Sequence, residues 1–167
     1  MDIITFAIQM EKDGQAFYEK AASAASTTEI KEIFQYLADE EKRHCAFFKK
    51  MADGEITTAI EALKGGSLKT TKNVFVQLIE ENKAASFGDD VRATWVEALK
   101  FEERAVQLYT EEAEKEPDAD RKTLLNRIAD EERNHVYLID NILTFMADPQ
   151  TFVDSKQYGD FQSWEGH

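Results

Sequence analysis

The 167-residue chain contains a single cysteine, two prolines and seven glycines, and it has no run approaching the ~18 apolar residues that a membrane helix needs. With Cys45 alone, an intrachain disulfide framework and a Cys-x-x-Cys knuckle for zinc, iron or a redox shuttle are excluded. Nothing near Cys45 in sequence activates a thiol, so it reads as a small core side chain rather than a redox group. Basic residues are also scarce. Twenty Lys and Arg stand against 33 Asp and Glu, a net charge of −13, and no basic stripe is present to hold a nucleic-acid backbone. The opening Met-Asp-Ile-Ile-Thr-Phe has neither a basic start nor a small-residue cleavage site, so neither secretion nor a membrane span is expected, and a reducing cytoplasm is the expected location.

What remains is helical in composition. Four of the glycines (Gly54, Gly65, Gly66, Gly88) crowd the middle third, and the flanking thirds are rich in Ala, Leu, Ile, Glu and Lys. Apolar periodicity predicts four long helices at about 2–25, 28–53, 90–115 and 118–147. Ser26 and Glu29 have capping-box spacing for the second helix, and Pro117 with the acids after it suits the first turn of the fourth. Each pair therefore forms an antiparallel hairpin. The stretch from about 54 to 89 is too long for a turn, and after Gly65-Gly66 its Val74, Phe75, Leu78 and Ile79 predict a short helix.

The expectation is an all-α domain over residues 1–148. It is a four-helix bundle whose one long crossover lets the third helix start at the same end as the second. Residues 149–167 form a polar tail whose spaced aromatics (Phe152, Tyr158, Phe161, Trp164) are expected to dock on the bundle or on a second subunit, with His167 solvated.

The chemistry lies in a repeat. Glu11, Tyr18, Asp39, Glu40, Glu41 and His44 recur 91 residues later as Glu102, Tyr109, Asp130, Glu131, Glu132 and His135. At about 100° per residue, Glu132 and His135 fall within about 40° of Ile128 in the apolar stripe of the fourth helix, while Asp130 falls near 200°, on the far side. Glu41 and His44 lie likewise between Phe34, Leu37, Phe48 and Met51. Glu11 shares its face with Ile4, Ala7, Tyr18 and Ala22, and Glu102 with Trp95, Ala98, Val106 and Tyr109.

Four ionised carboxylates facing a core would cost far more than the roughly 5–15 kcal/mol that holds a domain together. Two divalent ions bring the opposite charge. Neutral His44 and His135 complete the ligand set, Glu11, Glu41, His44, Glu102, Glu132 and His135, without adding to it. One Glu-x-x-His string alone is as readily a solvated helix face. Two in register, each matched by an inward Glu on the preceding helix, give the ligand pattern of a di-iron carboxylate bundle.

The segments around Glu11 and Phe17-Tyr18, Ala38-Asp39-Glu40-Glu41-Lys42-Arg43-His44, Glu102 and Leu108-Tyr109, and Ala129-Asp130-Glu131-Glu132-Arg133-Asn134-His135 resemble the rubrerythrin family of the ferritin-like superfamily, over about residues 2–147. The resemblance implies a ferritin-like bundle with a non-haem di-iron centre on those six residues. It also implies reduction of hydrogen peroxide, or of dioxygen, with electrons from a rubredoxin-type donor. The chain departs from the family pattern in two ways. Ala105 stands where rubrerythrins carry a further Glu involved in iron movement, and these residues hold no four-cysteine domain, so the electrons would come from a separate protein.

The resemblance also suggests that Tyr18 and Tyr109 hydrogen-bond the ligands or donate protons; the alternative is a pair of core tyrosines satisfied locally. Glu40 and Glu131 sit at the stripe edge, where each would either accept a ligand histidine's free N–H or form a surface ion pair. Zinc or manganese would suit the same ligands. Two other functions stay open: ferrous iron oxidation and handling without peroxide turnover, and a static structural metal pair. A homodimer is expected, with exchange of helices between chains left open.

Overall fold

The computed structural model describes residues 2–64, 68–81 and 89–166, and within them every regular element is a helix. In chain order these are α1 (Ile3–Ala24), α2 (Thr28–Ala52), α3 (Ile56–Ala62), α4 (Leu68–Glu80), α5 (Asp89–Lys115), α6 (Ala119–Ala147), α7 (Pro149–Val153) and α8 (Lys156–Ser163). The helices α1 and α2 form one antiparallel hairpin and α5 and α6 the other, with α2 and α6 touching across the bundle. This is the expected all-α, ferritin-like bundle with its long connection between the second and third long helices.

The second and fourth long helices start at Thr28 and Ala119, within a residue of expectation, but local chemistry corrects how each start is made. The cap of α2 is Thr27, whose hydroxyl accepts from Ile30 N at 3.3 Å, and not Ser26; the backbone is extended at Thr27 and turns helical at Thr28. Pro117 lies outside α6 rather than in its first turn, because Asp118 takes the cap and accepts from Arg121 N at 2.9 Å. The second hairpin turn is thereby held by a carboxylate, with Arg121 reaching back to Glu116 at 3.2 Å. At the other end of α2, Gly54 sits at φ 76°, a left-handed conformation that costs glycine nothing and ends the helix.

The crossover holds α4 as expected and also α3, whose residues Ile56 to Ala62 were not expected to be helical. Its Ala59 is buried, and the helix lies against α2 and α6. Seven residues carrying Thr57-Thr58 have little propensity of their own, so packing sustains the turn of helix. Gly65, Gly66 and Gly88, and His167 with its expected solvation, lie outside the described residues. The tail aromatics land on the chain's own bundle: Phe152, Tyr158 and Phe161 are buried in the cluster formed by Phe34, Phe75, Trp95 and Phe145, with Trp164 packed on Tyr137 at 4.5 Å. Lys72 of α4 fastens the end of α8, its ammonium donating to the carbonyls of Gln162 (2.8 Å) and Trp164 (2.7 Å). Among the described residues no helix is long and apolar enough to cross a membrane.

Buried side chains separate into two apolar clusters. One contains Tyr18, Ala22, Phe34, Leu37, Trp95, Ala98 and Leu138; the other contains Ile4, Ala7, Phe47, Phe48, Met51, Ala105, Tyr109 and Ile128. Each long helix contributes to both, and between its two contributions lies a buried polar stretch: Glu11, Glu41 with His44, Glu102, and Glu132 with His135. The antiparallel packing puts these stretches at one height, so a single polar layer crosses the middle of an otherwise apolar core.

Candidate metal centre

The layer is built by helix period alone. Glu and His three residues apart on α2 and on α6 project from the same face, and the single glutamates of α1 and α5 meet them from the opposite hairpin positions. Glu11, Glu41, His44, Glu102 and Glu132 are fully buried and His135 is 1% exposed, a degree of burial that ionised groups reach only with partners. Their ligating atoms fall into two overlapping groups, each confined within 4.8 Å: Glu11, Glu41, His44 and Glu132, and Glu41, Glu102, Glu132 and His135. Glu41 and Glu132 belong to both. Such an arrangement would suit two cations side by side, each with its own Glu and His and with two carboxylates common to both groups.

The imidazoles present Nδ1 to this centre. His44 Nδ1 lies 3.0 Å from Glu132 Oε1 and 3.5 Å from Glu11 Oε2, and His135 Nδ1 lies 3.2 Å from Glu132 Oε2 and 3.4 Å from Glu102 Oε1. The rings are stacked, with centroids 5.4 Å apart. Both oxygens of Glu41, Oε2 of Glu11, Glu102 and Glu132, and Nδ1 of His135 have no hydrogen-bond partner within the protein. Buried polar atoms left without partners cost about 1–3 kcal/mol each, so this concentration of them fits a group that the protein is built to bind. Hard carboxylate oxygens with two imidazoles suit first-row divalent ions, and four negative charges match two of them.

Without metal the layer must be neutralised by protons. Burial, and then the charges of Glu11, Glu102 and Glu132, push the Glu41 carboxyl well above its ordinary range. Burial and the charge of Glu11 raise Glu132 to about 8. Glu11 is raised by burial but lowered more by the adjoining Glu41 carboxyl and the His44 ring with its charge, and it is held at about 2. Glu102 is lowered against its own burial, chiefly by the charge of His135 beside it. Burial opposes the charged form of both histidines, yet the charge of Glu132 on His44 and that of Glu102 on His135 raise them well above the usual range.

Tyr18 and Tyr109 reach into the layer from opposite sides. Tyr18 Oη, in one apolar cluster, donates to Glu102 Oε1 at 2.5 Å, and Tyr109 Oη, in the other, donates to Glu11 Oε1. Each tyrosine thus serves the glutamate of the opposite hairpin, a pairing that the wheel of one helix does not contain. Burial, and then the charge of the accepting glutamate, raise both phenols well above their ordinary range, which keeps them protonated donors. Replacing either by Phe is expected to raise the pKa of the glutamate it serves and to cost the metal-free protein about 1.5–3 kcal/mol at pH 6, the worth of a hydrogen bond to a charged group. Chemical denaturation of Tyr18→Phe and Tyr109→Phe measures this; an unchanged midpoint would show that the hydroxyls carry nothing.

The other repeated acids part company. Asp39 and Asp130 face solvent, accepting from Gln35 and Arg133 respectively. Glu131 is paired on the surface side with Arg127 at 3.2 Å. Glu40, its counterpart in the first half, is buried over the two imidazoles and paired with Arg43. Cys45 is a buried side chain beside the site.

Sequence reasoning passed over Gly14. A Cβ there would stand 2.7 Å from the Phe101 ring and 3.0 Å from Glu41 Oε2, so the absent side chain is what lets α1 lie against both. The available signal was a glycine inside a helix, three residues after Glu11, at the place where the second half carries Ala105. The two small residues sit at equivalent positions beside the layer.

Comparison with known proteins agrees with this geometry. Neither the curated proteins nor the solved structures contain a match to the chain. A family model described as Rubrerythrin matches residues 2–143, a span that takes in α1, α2, α5, most of α6 and every residue of the polar layer, and the chain therefore belongs to the rubrerythrin family, of the ferritin-like di-iron carboxylate superfamily.

Proposed function

We propose that the protein is a di-iron oxidoreductase that reduces hydrogen peroxide, taking electrons from a separate rubredoxin-type donor. The observation that carries this reading is the sharing of Glu41 and Glu132 between two buried ligand groups, which sets two cation positions next to each other. Glu11 with His44 would hold one ion, Glu102 with His135 the other, and the shared pair both. Two ferrous ions so held would supply one electron each and Lewis acidity, the chemistry that a two-electron cleavage of a peroxide O–O bond requires.

The chain's own residues do the rest. The two apolar clusters exclude bulk water from the layer, which strengthens every electrostatic contact within it. Tyr18 and Tyr109 fix Glu102 and Glu11 through one oxygen each, leaving the Oε2 atoms free for ligation. Reduction of one peroxide to two waters consumes two electrons and two protons. The phenolic protons of Tyr18 and Tyr109, held at Glu102 Oε1 and Glu11 Oε1, are protons at the layer that the metal ligands do not themselves carry.

Anaerobically reduced, iron-loaded protein should be reoxidised by a stoichiometric amount of peroxide at least about tenfold faster than by air-saturated buffer, followed optically in a stopped-flow instrument. Equally slow reaction with both oxidants would overturn the peroxide assignment. Many ferrous ions oxidised per centre, with ferric iron released, would mark iron handling instead. Metal analysis of protein purified without oxygen separates iron from zinc or manganese.

A further inference from the structure

Metal ions must cross a closed wall to reach this layer. Among the residues whose donor atoms gather there, Glu11, Glu41, His44, Glu102 and Glu132 have no solvent exposure and His135 has 1%; Glu40 has 6%. Glu40 also faces both ways. Its Oε2 lies 4.0 Å from His44 Nε2 and 3.9 Å from His135 Nε2, and its Oε1 is paired with Arg43. The guanidinium of Arg43 lines a surface groove between α2 and α4 together with Glu32, Tyr36, Asp39 and Thr71, and the Tyr36 ring stands edge-on to His135 at 6.2 Å.

Resting on the metal-centre reading above, we propose that Glu40 and the outer nitrogens of His44 and His135 form a third, transit site, through which divalent cations enter the inner pair from the α2–α4 groove. Three donor atoms of ligating type lie there within 4.8 Å of one another, and both Nε2 atoms, on side chains at least 99% buried, have no hydrogen-bond partner. The separations are too long for hydrogen bonds. The two separations from Glu40 Oε2 stand only a few tenths of an ångström above the roughly 3.6 Å between ligands that surround one three-coordinate ion at about 2.1 Å, and the three donors close on a cation by small movements of Glu40 and the two rings. Each imidazole then has an inner and an outer nitrogen, and an ion that passes from Nε2 to Nδ1 of one ring does so as the ring proton passes from Nδ1 to Nε2.

The repeat supplies the control. Glu131, 91 residues on, is held toward the surface by Arg127, and the counterpart of Arg43 is Asn134, so the second half has no such triad among the described residues. Arg43 keeps the route shut by occupying Glu40 Oε1, and the acids Glu32 and Asp39 at the groove draw cations toward it.

The experiment is the rate of Co²⁺ uptake by the full-length metal-free chain, followed by the visible absorption of the bound ion. Glu40→Gln is expected to slow uptake at least tenfold while the end point stays at two ions with the wild-type spectrum. Arg43→Gln is expected to quicken it, and Glu131→Gln to leave it unchanged. Uptake by Glu40→Gln at the wild-type rate overturns the transit site and leaves the inner pair standing. So does a loss of bound ions at the end point, which would make Glu40 part of the inner centre. A wild-type chain that takes up no Co²⁺ overturns the metal reading itself. Circular dichroism of each metal-free variant separates a slowed folded protein from an unfolded one, and Glu40→Asp, which keeps the charge, should recover part of the rate.

Discussion

Saturating the metal-free protein with a divalent ion should raise its thermal midpoint by about 15–30 °C at pH 8, and by much less at pH 5.5. At a free concentration of 1,000 Kd each site contributes about 4.1 kcal/mol, two sites about 8 kcal/mol, and each kcal/mol is worth about 2–4 °C for a domain of this size. The pH dependence follows from which groups gain and which lose protons on folding. Glu41, Glu132, His44 and His135 are all raised in the folded protein, Glu132 to about 8. Their contribution is complete below the ordinary values of 4.5 for Glu and 6.5 for His, and is lost as pH rises toward the folded values. Glu11, held at about 2, and Glu102 behave oppositely: their contribution is present above 4.5 and is lost as pH falls.

The metal-free fold is therefore most stable near pH 5 and weakens toward pH 8, where ions replace the protons that neutralised the layer. Near neutral pH, binding the pair should release about four protons, one from each raised group. Scanning calorimetry at the two pH values tests the first statement, and titration calorimetry in buffers of different ionisation enthalpy tests the second. A midpoint that metal does not move at pH 8 would remove the basis for a buried cation site.

The double substitution Glu41→Gln with Glu132→Gln should separate stability from binding. Both carboxyls are held protonated in the metal-free protein near neutral pH, and a glutamine amide has nearly the shape and charge of a protonated carboxyl. The metal-free variant should be at least as stable as the wild type at pH 8, because two buried ionisations that oppose folding have been removed. Yet Glu41 and Glu132 are the residues shared by both ligand groups. Their loss should weaken metal binding by more than about 100-fold, since even residues that only support a ligand are worth 10–100-fold.

Glu11→Gln should do the reverse to stability. That group is ionised in the folded state and neutralised by His44, and removing its charge leaves a buried imidazolium without its partner. Denaturation curves for the metal-free variants, paired with Co²⁺ titrations, read both effects. A double variant that still binds two ions at wild-type affinity would show that the shared carboxylates are not ligands.

Much of the molecule can be read from periodicity. The four long helices, their pairing into hairpins and the inward aim of Glu41, His44, Glu132 and His135 all follow from a 3.6-residue repeat, because an i, i+3 pair must share a face wherever a helix forms. The 91-residue repeat tied Glu11 to Glu102 before any packing was known. Caps were less legible: Ser26 and Thr27 are both good cap residues, and only the backbone turn at Thr28 selects between them. The helix α3 had no pattern of its own to announce it.

Periodicity in this chain determined which residues each helix turns inward, since that depends on spacing within one element. Only the tertiary structure decided what those residues meet. Tyr18 serves Glu102 rather than Glu11, and Glu40 lies over the imidazoles while Glu131 pairs outward. Gly14 takes the Phe101 ring where Ala105 holds an equivalent place. The repeat names matching residues and not their neighbours, which come from other elements: α3 and α4 pack on α2, and α7 and α8 on α6, so the two halves differ in their surroundings.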